Sequence, residues 1–247
     1  MRLLVFSDVH ANATALEAVL QACAGRWDRV VCLGDIVGYG PDPNEVVERV
    51  RLLVSAIVRG NHDKAASGIS DLEDFNPVAR AAVEWTLSKL LPENMRYLLG
   101  LPGGPLETDG VALVHGAVED EDEYVFAADQ ALTSILASPR TVTFFGHTHI
   151  QGGFSYDGER IERVDVSLKS GANQAIVSLD PKKRYLLNPG SAGQPRDGDP
   201  RAAFAIADLK KRKVEFWRTP YDIAAVQDRM ERAGVPEALV LRLAFGR

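Results

Sequence analysis

The sequence predicts an α/β protein in which two sheets pack face to face with helices on the outside. In the first half, short apolar runs alternate with segments of helical periodicity, which is typical of parallel strands joined by helical crossovers. Beyond Gly146 the chain consists mostly of strand patterns separated by turn residues. With 46% hydrophobic and 25% charged residues, the 247-residue chain has enough apolar material for a substantial core.

The elements of the first half follow from apolar spacing and from the positions of prolines. Short apolar runs at residues 3–6, 29–33 and 56–58 predict buried strands. Helices are predicted at residues 12–24, at residues 43–53, and as a pair within residues 77–101 whose second member begins at Pro92. A proline fits the first turn of a helix because its missing N–H would have no partner there.

The second half is predicted to contain more strands than helices. Its predicted elements are strands at 111–114 and 142–145, a helix at 129–137, hairpins around 157–158, 180–181 and 210–211, and a closing helical stretch at 221–243. No linker marks a domain boundary. We therefore predict one domain over residues 1–247, with a C-terminal helical segment at about 221–247.

Charge and cysteine content limit the possible partners. The net charge of −6 and the pI near 5.4 give no basic surface for nucleic acid or an anionic membrane, so we expect neither partner. Two cysteines outside any CxxC pair exclude a disulfide framework, and no apolar stretch is long enough for a membrane span or a signal peptide. We expect a cytoplasmic protein, and the sequence leaves its oligomeric state open.

Polar loops carry the functional prediction. All five histidines lie just after a predicted strand, where an open α/β sheet places its ligand-binding loops. The loops contain, in chain order, Asp8 and His10, Asp35, Asn61 and His62, His115, and His147 and His149.

This set of side chains suits a metal site. Carboxylate, imidazole and amide ligands favour Mn, Fe, Co, Ni or Zn over metals that prefer thiolates. Alternation in Asp8-x-His10 and His147-x-His149 is expected to place both side chains of each pair on one side of an extended turn. Adjacent glycines are expected to allow tight turns where a Cβ would crowd the site.

The ordered motifs D-x-H, G-D, G-N-H-D, H-G and G-H-T-H resemble those of the calcineurin-like metallophosphoesterase superfamily, and the chain is most similar to its small prokaryotic phosphodiesterase branch. The motifs extend from Asp8 to His149. The resemblance implies a four-layer αββα fold, in which two mixed sheets pack as a sandwich with helices on the outer faces.

The resemblance also implies a ligand set for two divalent metal ions. Asp8, His10, Asp35 and His149 would hold the first ion, and Asp35, Asn61, His115 and His147 the second. Asp35 would then bridge the ions, and a bridging hydroxide would attack a phosphodiester or phosphoanhydride bond. The expected substrate is a phosphorylated small molecule or nucleotide.

Five further residues are candidates for catalysis or substrate binding. His62 is left over from the ligand set and would stabilise the phosphoryl group or protonate the leaving oxygen, with Asp63 orienting its ring. Arg196 would meet substrate phosphate or lie in a polar loop. Tyr39 would stack on a nucleobase or pack against its loop. Asn12 would contact substrate or act as the N-cap of the following helix.

Other functions remain open. They are a non-catalytic metal-binding scaffold on the same fold, a phosphomonoesterase or protein phosphatase, and a metal-binding regulatory or nucleic-acid module. Two departures bear on the substrate. Ala117, Val118, Glu119 and Asp120 stand where relatives often carry Ser-Pro-Arg-Asp, and the Asp35 loop lacks the acid and arginine of the protein-phosphatase motif.

Overall fold

Two six-stranded mixed sheets form the centre of the protein, as a computed structural model describes it for residues 1–73, 75–166, 168 and 172–247. The strands are β1 (Arg2–Phe6), β2 (Arg29–Cys32), β3 (Ala56–Ile57), β4 (Leu106–Thr108), β5 (Val111–Leu113), β6 (Val142–Phe144), β7 (Gly152–Tyr156), β8 (Ile161–Val164), β9 (Gln174–Ser178), β10 (Arg184–Asn188), β11 (Ala202–Asp208) and β12 (Lys213–Thr219). The predicted sandwich is confirmed.

Eight helices accompany the sheets within the described residues. They are α1 (Ala13–Ala22), α2 (Pro43–Leu53), α3 (Asn61–Ser67), α4 (Pro77–Lys89), α5 (Pro92–Leu99), α6 (Ala128–Ala137), α7 (Ile223–Ala233) and α8 (Glu237–Leu243). Prolines occupy the first turns of α2, α4 and α5, as their fixed φ favours. No helix in this part of the chain has the length and apolar character that a membrane span requires. The cytoplasmic location stays a prediction.

Strand order explains how the sequence motifs meet. The first sheet has the order β3-β2-β1-β11-β12-β9, and the second has the order β4-β5-β6-β10-β7-β8. Strands β1, β2 and β3 are mutually parallel, and β5 and β6 are parallel in the second sheet. Because the carboxyl ends of parallel strands lie at one edge, the loops that follow them come together there.

Alternation along β1 shows which side chains form the core. Leu3 and Val5 point between the two sheets, where they pack with Phe144 of the second sheet. Leu4 and Phe6 point to the opposite face and pack against α1 and α2. This period of two is what a strand with both faces covered requires.

One prediction for the second half was wrong, whereas the predicted closing helical stretch is present as two helices. Asp180-Pro181 does not close a hairpin, because β9 pairs with β12 in the first sheet whereas β10 pairs with β6 and β7 in the second. The turn residues were recognised correctly, but packing rather than turn chemistry decides which sheet each strand joins. The closing helical stretch is divided into α7 and α8 at Gly234, which has a left-handed φ of 74°.

Candidate metal and catalytic centre

The predicted ligands converge at one edge of the sandwich. Asp8 and His10 follow β1, and Asp35 follows β2. Asn61 begins α3 directly after the loop from β3. From the second sheet, His115 follows β5, and His147 and His149 follow β6. The site therefore lies between the two sheets and takes side chains from both.

One ligand group consists of Asp8, His10, Asp35 and His149, whose ligand atoms all lie within 4.8 Å of one another. The Nε2 atoms of His10 and His149 are 3.1 Å apart. The His10 Nε2 atom is 3.5 Å from Asp35 Oδ2, and the His149 Nε2 atom is 3.3 Å from Asp8 Oδ1. All four residues are at most 1% exposed, so bulk solvent does not reach these atoms.

The second ligand group consists of Asp35, His115 and His147. The Nε2 atom of His115 is 3.4 Å from Asp35 Oδ2 and 3.1 Å from Nδ1 of His147. Asn61 borders a cavity of about 270 Å³ together with His147, and its Oδ1 atom is buried without a hydrogen-bond partner. Asp35 thus belongs to both groups and directs the same oxygen at a histidine of each.

Main-chain carbonyls fix the orientation of four imidazoles, and the Nδ1 atom of His115 donates to Leu33 O at 2.7 Å. The Nδ1 atom of His10 donates to Val37 O at 3.0 Å, and that of His149 donates to Gln194 O at 2.6 Å. Their Nε2 lone pairs consequently face each other across 3.1 Å. His147 is turned the other way, because its Nε2 donates to Asp122 O at 3.0 Å and leaves Nδ1 for the site. Lone pairs that meet without a proton between them fit a bound cation.

Burial keeps these imidazoles neutral. It lowers the pKa of His10 and of His149 well below 6.5, and it lowers the pKa of His147 to about 3. Burial also acts to raise the pKa of Asp35, but His115 and His62 outweigh it and hold that pKa well below 3.8. Burial acts to lower the pKa of His115, yet the Asp35 carboxylate raises it to about 10. Because a metal ligand must be deprotonated, a cation and a proton compete for His115.

The loops that carry the ligands have a left-handed backbone at several residues. The prediction that Asp8-x-His10 and His147-x-His149 form extended turns was therefore wrong. Nine non-glycine residues of the described chain have a positive φ, and seven of them lie in the site loops. The seven are Asp8, His10, Ala11, Asp35, Tyr39, His147 and His149. Each costs roughly 1–2 kcal/mol of stability because its Cβ crowds the following carbonyl. Main-chain bonds such as His10 N to Asp35 O, 2.9 Å, hold the loops in this form.

The structural role of Asp63 differs from the predicted role. Its carboxylate accepts hydrogen bonds from the main-chain N–H groups of Asp35, Ile36, Val37 and Gly60, at 2.8 to 3.3 Å. Within the described residues it makes no hydrogen bond to the His62 imidazole, whose Nδ1 has no partner. The prediction that Asp63 orients the His62 ring is therefore wrong. Asp63 instead holds the loop that carries Asp35.

His62 lies beside the two ligand groups without belonging to either. Its main-chain N–H donates to Asp35 Oδ1 at 2.9 Å, and its ring is packed between Tyr39 and Phe75, at centroid distances of 4.4 and 5.1 Å. A Cβ at Gly38 would collide with its Nδ1 atom, so a glycine is required there. Burial lowers the pKa of His62 to about 4, which leaves the ring neutral at pH 7.

The three predicted substrate residues differ in position. Asn12 is the N-cap of α1, since its Oδ1 accepts from Ala15 N and its Nδ2 donates to Gly193 O, each at 3.0 Å. Because both ends of its amide are engaged, we propose no substrate contact for it. Tyr39 lies against the ring of His10 at a centroid distance of 4.6 Å, and Arg196 donates to the Tyr39 hydroxyl at 3.4 Å. Both therefore border the site.

Two residues near the site were missed from the sequence. Arg242 on α8 lies over the Tyr39 ring, with its guanidinium carbon 5.3 Å from the ring centroid. Tyr124 stacks on His147 at a centroid distance of 3.7 Å. Neither stands in a motif, and α8 reaches the site only through the tertiary fold, so local sequence carried no indication of either contact.

Comparison with known proteins agrees with this geometry. A sequence model of the calcineurin-like phosphoesterase superfamily domain matches residues 1–212. The crystal structure of a metallophosphoesterase from Sphaerobacter thermophilus is 41% identical, covers 100% of this chain and 99% of its own, and superimposes with a TM-score of 0.85. The uncharacterized protein MJ0912 of Methanocaldococcus jannaschii is 34% identical over 98% of this chain and 97% of its own.

A more distant structure shows the same fold. The hypothetical protein PH1004 from Pyrococcus horikoshii OT3 is 19% identical, covers 100% of this chain and 98% of its own, and superimposes with a TM-score of 0.77. Family match, fold and buried ligand groups agree. The chain therefore belongs to the calcineurin-like phosphoesterase superfamily and is a metal-dependent phosphoester hydrolase.

Proposed function

We propose that the protein hydrolyses phosphodiester or phosphoanhydride bonds of phosphorylated small molecules or nucleotides at a centre for two divalent ions. Asp8, His10, Asp35 and His149 would hold one ion, and Asp35, Asn61, His115 and His147 the other. The observation that carries the proposal is the membership of Asp35 in both ligand groups. A shared carboxylate of this kind is what two neighbouring ions in a hydrolytic site require.

The donor atoms limit which ions fit. Both groups offer carboxylate oxygens and imidazole nitrogens, Asn61 adds a buried amide oxygen, and neither group contains a thiolate. Such a set favours Mn, Fe, Co, Ni or Zn. When bound, divalent ions lower the pKa of coordinated water and offset the negative charge of the reacting phosphoryl group.

We assign His62 the part of a catalytic residue. It borders the same cavity as Asn61 and His147, and its position relative to Asp35 is fixed by the hydrogen bond from its main-chain N–H. A neutral imidazole donates a hydrogen bond from one nitrogen, which suits it to stabilise a phosphoryl oxygen or to hand a proton to the leaving oxygen. Packing against Tyr39 and Phe75 limits the movement of the ring.

The test separates metal binding from chemistry. Asp35→Asn is expected to reduce the bound manganese of the purified protein and to slow hydrolysis of bis(4-nitrophenyl) phosphate about a thousandfold. His62→Ala is expected to keep the manganese content of the wild type and still to lose hydrolysis. Arg232→Gln, an exposed change on α7, is the matched control. Full activity in both test variants would remove the proposed mechanism.

A substrate panel distinguishes the proposal from a scaffold. Monoesters, cyclic nucleotides, linear diesters and dinucleoside polyphosphates should be offered with manganese. Hydrolysis of linear diesters or polyphosphates is the expected result. Two bound metal ions with no hydrolysis of any member of the panel would favour the non-catalytic alternative.

A further inference from the structure

Two arginine side chains beside the site donate hydrogen bonds to the same uncharged residue, Gln194. Arg196 lies in the loop after β10, and Arg242 lies on α8. Their Nη2 atoms both donate to Oε1 of Gln194, at 3.2 and 2.8 Å. The two guanidinium groups are therefore held next to each other, although both carry a positive charge.

No carboxylate side chain of the described residues forms an ion pair with either arginine. By contrast, Arg201 and Arg229 pair with Asp199 and Asp42 at 2.6 and 3.0 Å. Arg242 also donates its Nε to the main-chain oxygen of Arg247 at 2.7 Å. Neither guanidinium group is therefore matched directly by a carboxylate side chain, as those of Arg201 and Arg229 are.

Some N–H groups of the two arginines also have no hydrogen-bond acceptor in the described part of the chain. Within the described residues, neither Nη1 atom has a hydrogen-bond partner, and the Nε atom of Arg196 is buried without one. Burial lowers the pKa of Arg242 to about 10, and the neighbouring charge of Arg196 acts in the same direction. Two adjacent cations with unused N–H groups are a suitable environment for an anion.

Tyr39 connects the arginines to the catalytic centre. The guanidinium carbons of Arg196 and Arg242 lie 5.8 and 5.3 Å from the centroid of its ring. The same ring lies 4.6 Å from His10 and 4.4 Å from His62. The two guanidinium groups, His10 and His62 therefore all lie around the same aromatic ring.

We infer that Arg196 and Arg242 form a subsite for a second anionic group of the substrate, beside the phosphoryl group that reacts. The subsite selects phosphoanhydrides, which carry a neighbouring phosphate, over simple phosphodiesters, which do not. Guanidinium groups suit phosphate oxygens because their planar N–H donors match them in pairs. This inference rests on the proposed function and adds its substrate class. Arg242 lies outside residues 1–212, the part that matches the family.

The first test measures anion binding without hydrolysis. Inorganic triphosphate is titrated into metal-free protein in the presence of a chelator, and the dissociation constant is obtained by calorimetry. Arg242→Gln and Arg196→Gln are each expected to weaken binding by about tenfold, because each removes charge-assisted hydrogen bonds. Arg232→Gln, which removes an exposed arginine of α7, should bind triphosphate like the wild type. Equal affinity in all four proteins would overturn the inference.

The second test measures substrate preference with manganese present. The ratio of kcat/KM for diadenosine tetraphosphate to that for bis(4-nitrophenyl) phosphate is expected to fall about tenfold in Arg242→Gln. A fall of both values by the same factor would show a structural effect and would overturn the inference. If the protein hydrolyses neither compound but Arg242→Gln still loses triphosphate, the proposed function fails while the anion subsite stands. Arg196→Gln keeps both tests decisive if Arg242→Gln does not fold.

Discussion

Two neighbouring clusters of charged and polar residues differ in whether their polar atoms find partners within the protein. In one cluster, Arg59 and Lys64 pair with Glu121 at 2.8 and 3.0 Å, and Lys64 also pairs with Asp122 at 2.5 Å. Two cations meet two anions at a partly exposed surface. The other cluster is the catalytic centre, which is almost fully buried and combines two carboxylates with four imidazoles.

The difference lies in which atoms have partners. Every charge of the Arg59 cluster has an opposite charge within reach, so the cluster is complete without a ligand. In the centre, Asp8 Oδ2, Asn61 Oδ1 and His62 Nδ1 are buried without hydrogen-bond partners. Leaving buried polar atoms without hydrogen-bond partners costs stability. We expect a bound ion or substrate to supply these partners. The Arg59 cluster needs no ligand, whereas the centre has buried acceptor atoms that a cation could use.

The largest expected effect comes from Asp35, which belongs to both ligand groups. Asp35→Asn removes the charge that both groups share, and we expect kcat/KM for the aryl diester to fall about a thousandfold, as losses of electrostatic stabilisation typically do. Steady-state kinetics with manganese in excess measure it. Glu121→Gln in the Arg59 cluster is the matched control, and equal losses in the two variants would contradict the distinction.

Metal binding should stabilise the centre. At a free manganese concentration of about 100 times Kd, a ligand adds about 2.7 kcal/mol to stability. For a chain of this size we expect the melting temperature to rise by about 5–10 °C. Differential scanning calorimetry measures the shift, and Asp35→Asn should lose most of it. An unchanged melting temperature in the wild type would mean that the unmatched atoms have no cation as their partner.

Asp63 offers a structural test within the centre. Asp63→Ala leaves three main-chain N–H groups of the Asp35 loop, and that of Gly60, without their acceptor. We expect the metal-free protein to lose about 3 kcal/mol of unfolding free energy, since breaking a buried network is strongly destabilising. Urea unfolding gives the value. A loss below about 1 kcal/mol would show that the loop holds its left-handed form without this carboxylate.

The smallest effect is expected in the exposed cluster. Glu121→Gln should cost about 0.5–1 kcal/mol at pH 7, as partly exposed ion pairs do. Burial acts to raise the pKa of Glu121, but Arg59 and Lys64 outweigh it and hold that pKa below 4.5. The stabilisation is therefore complete above pH 4.5 and is lost as the pH falls through the folded pKa.

Urea unfolding of wild type and Glu121→Gln at several pH values checks this. The difference in unfolding free energy between the two proteins should shrink as the solution is acidified below pH 4.5. A difference that stays constant down to about pH 3 would contradict the assignment of the effect to this ion pair.

The sequence predicted much of this centre because metal chemistry restricts residue types. Histidines and aspartates that recur in order directly after strands are typical of a metal site. The loops of Asp8, Asp35 and His147 could therefore be predicted from the sequence alone. The first three strands and the three proline-initiated helices α2, α4 and α5 followed equally from local patterns. These features depend on neighbours in sequence or on ligand identity.

The rest depends on tertiary structure. The left-handed φ of His10 and His149 has no sequence indication, because residues other than glycine seldom adopt it. The role of Asp63 as hydrogen-bond acceptor for the Asp35 loop depends on contacts between residues that are far apart in sequence. Arg242 reaches Tyr39 through the packing of α8. Likewise, Asp180-Pro181 contains turn residues, but the sheets decide that it crosses between them rather than closing a hairpin.

The central claim is that Asp35 is shared by two cation sites, and anomalous diffraction from manganese-soaked crystals tests it most directly. We predict two anomalous peaks per chain, one surrounded by Asp8, His10 and His149 and the other by Asn61, His115 and His147, with the Asp35 carboxylate contacting both. A single peak that Asp35 does not touch, or none at a saturating concentration of manganese, would contradict the account.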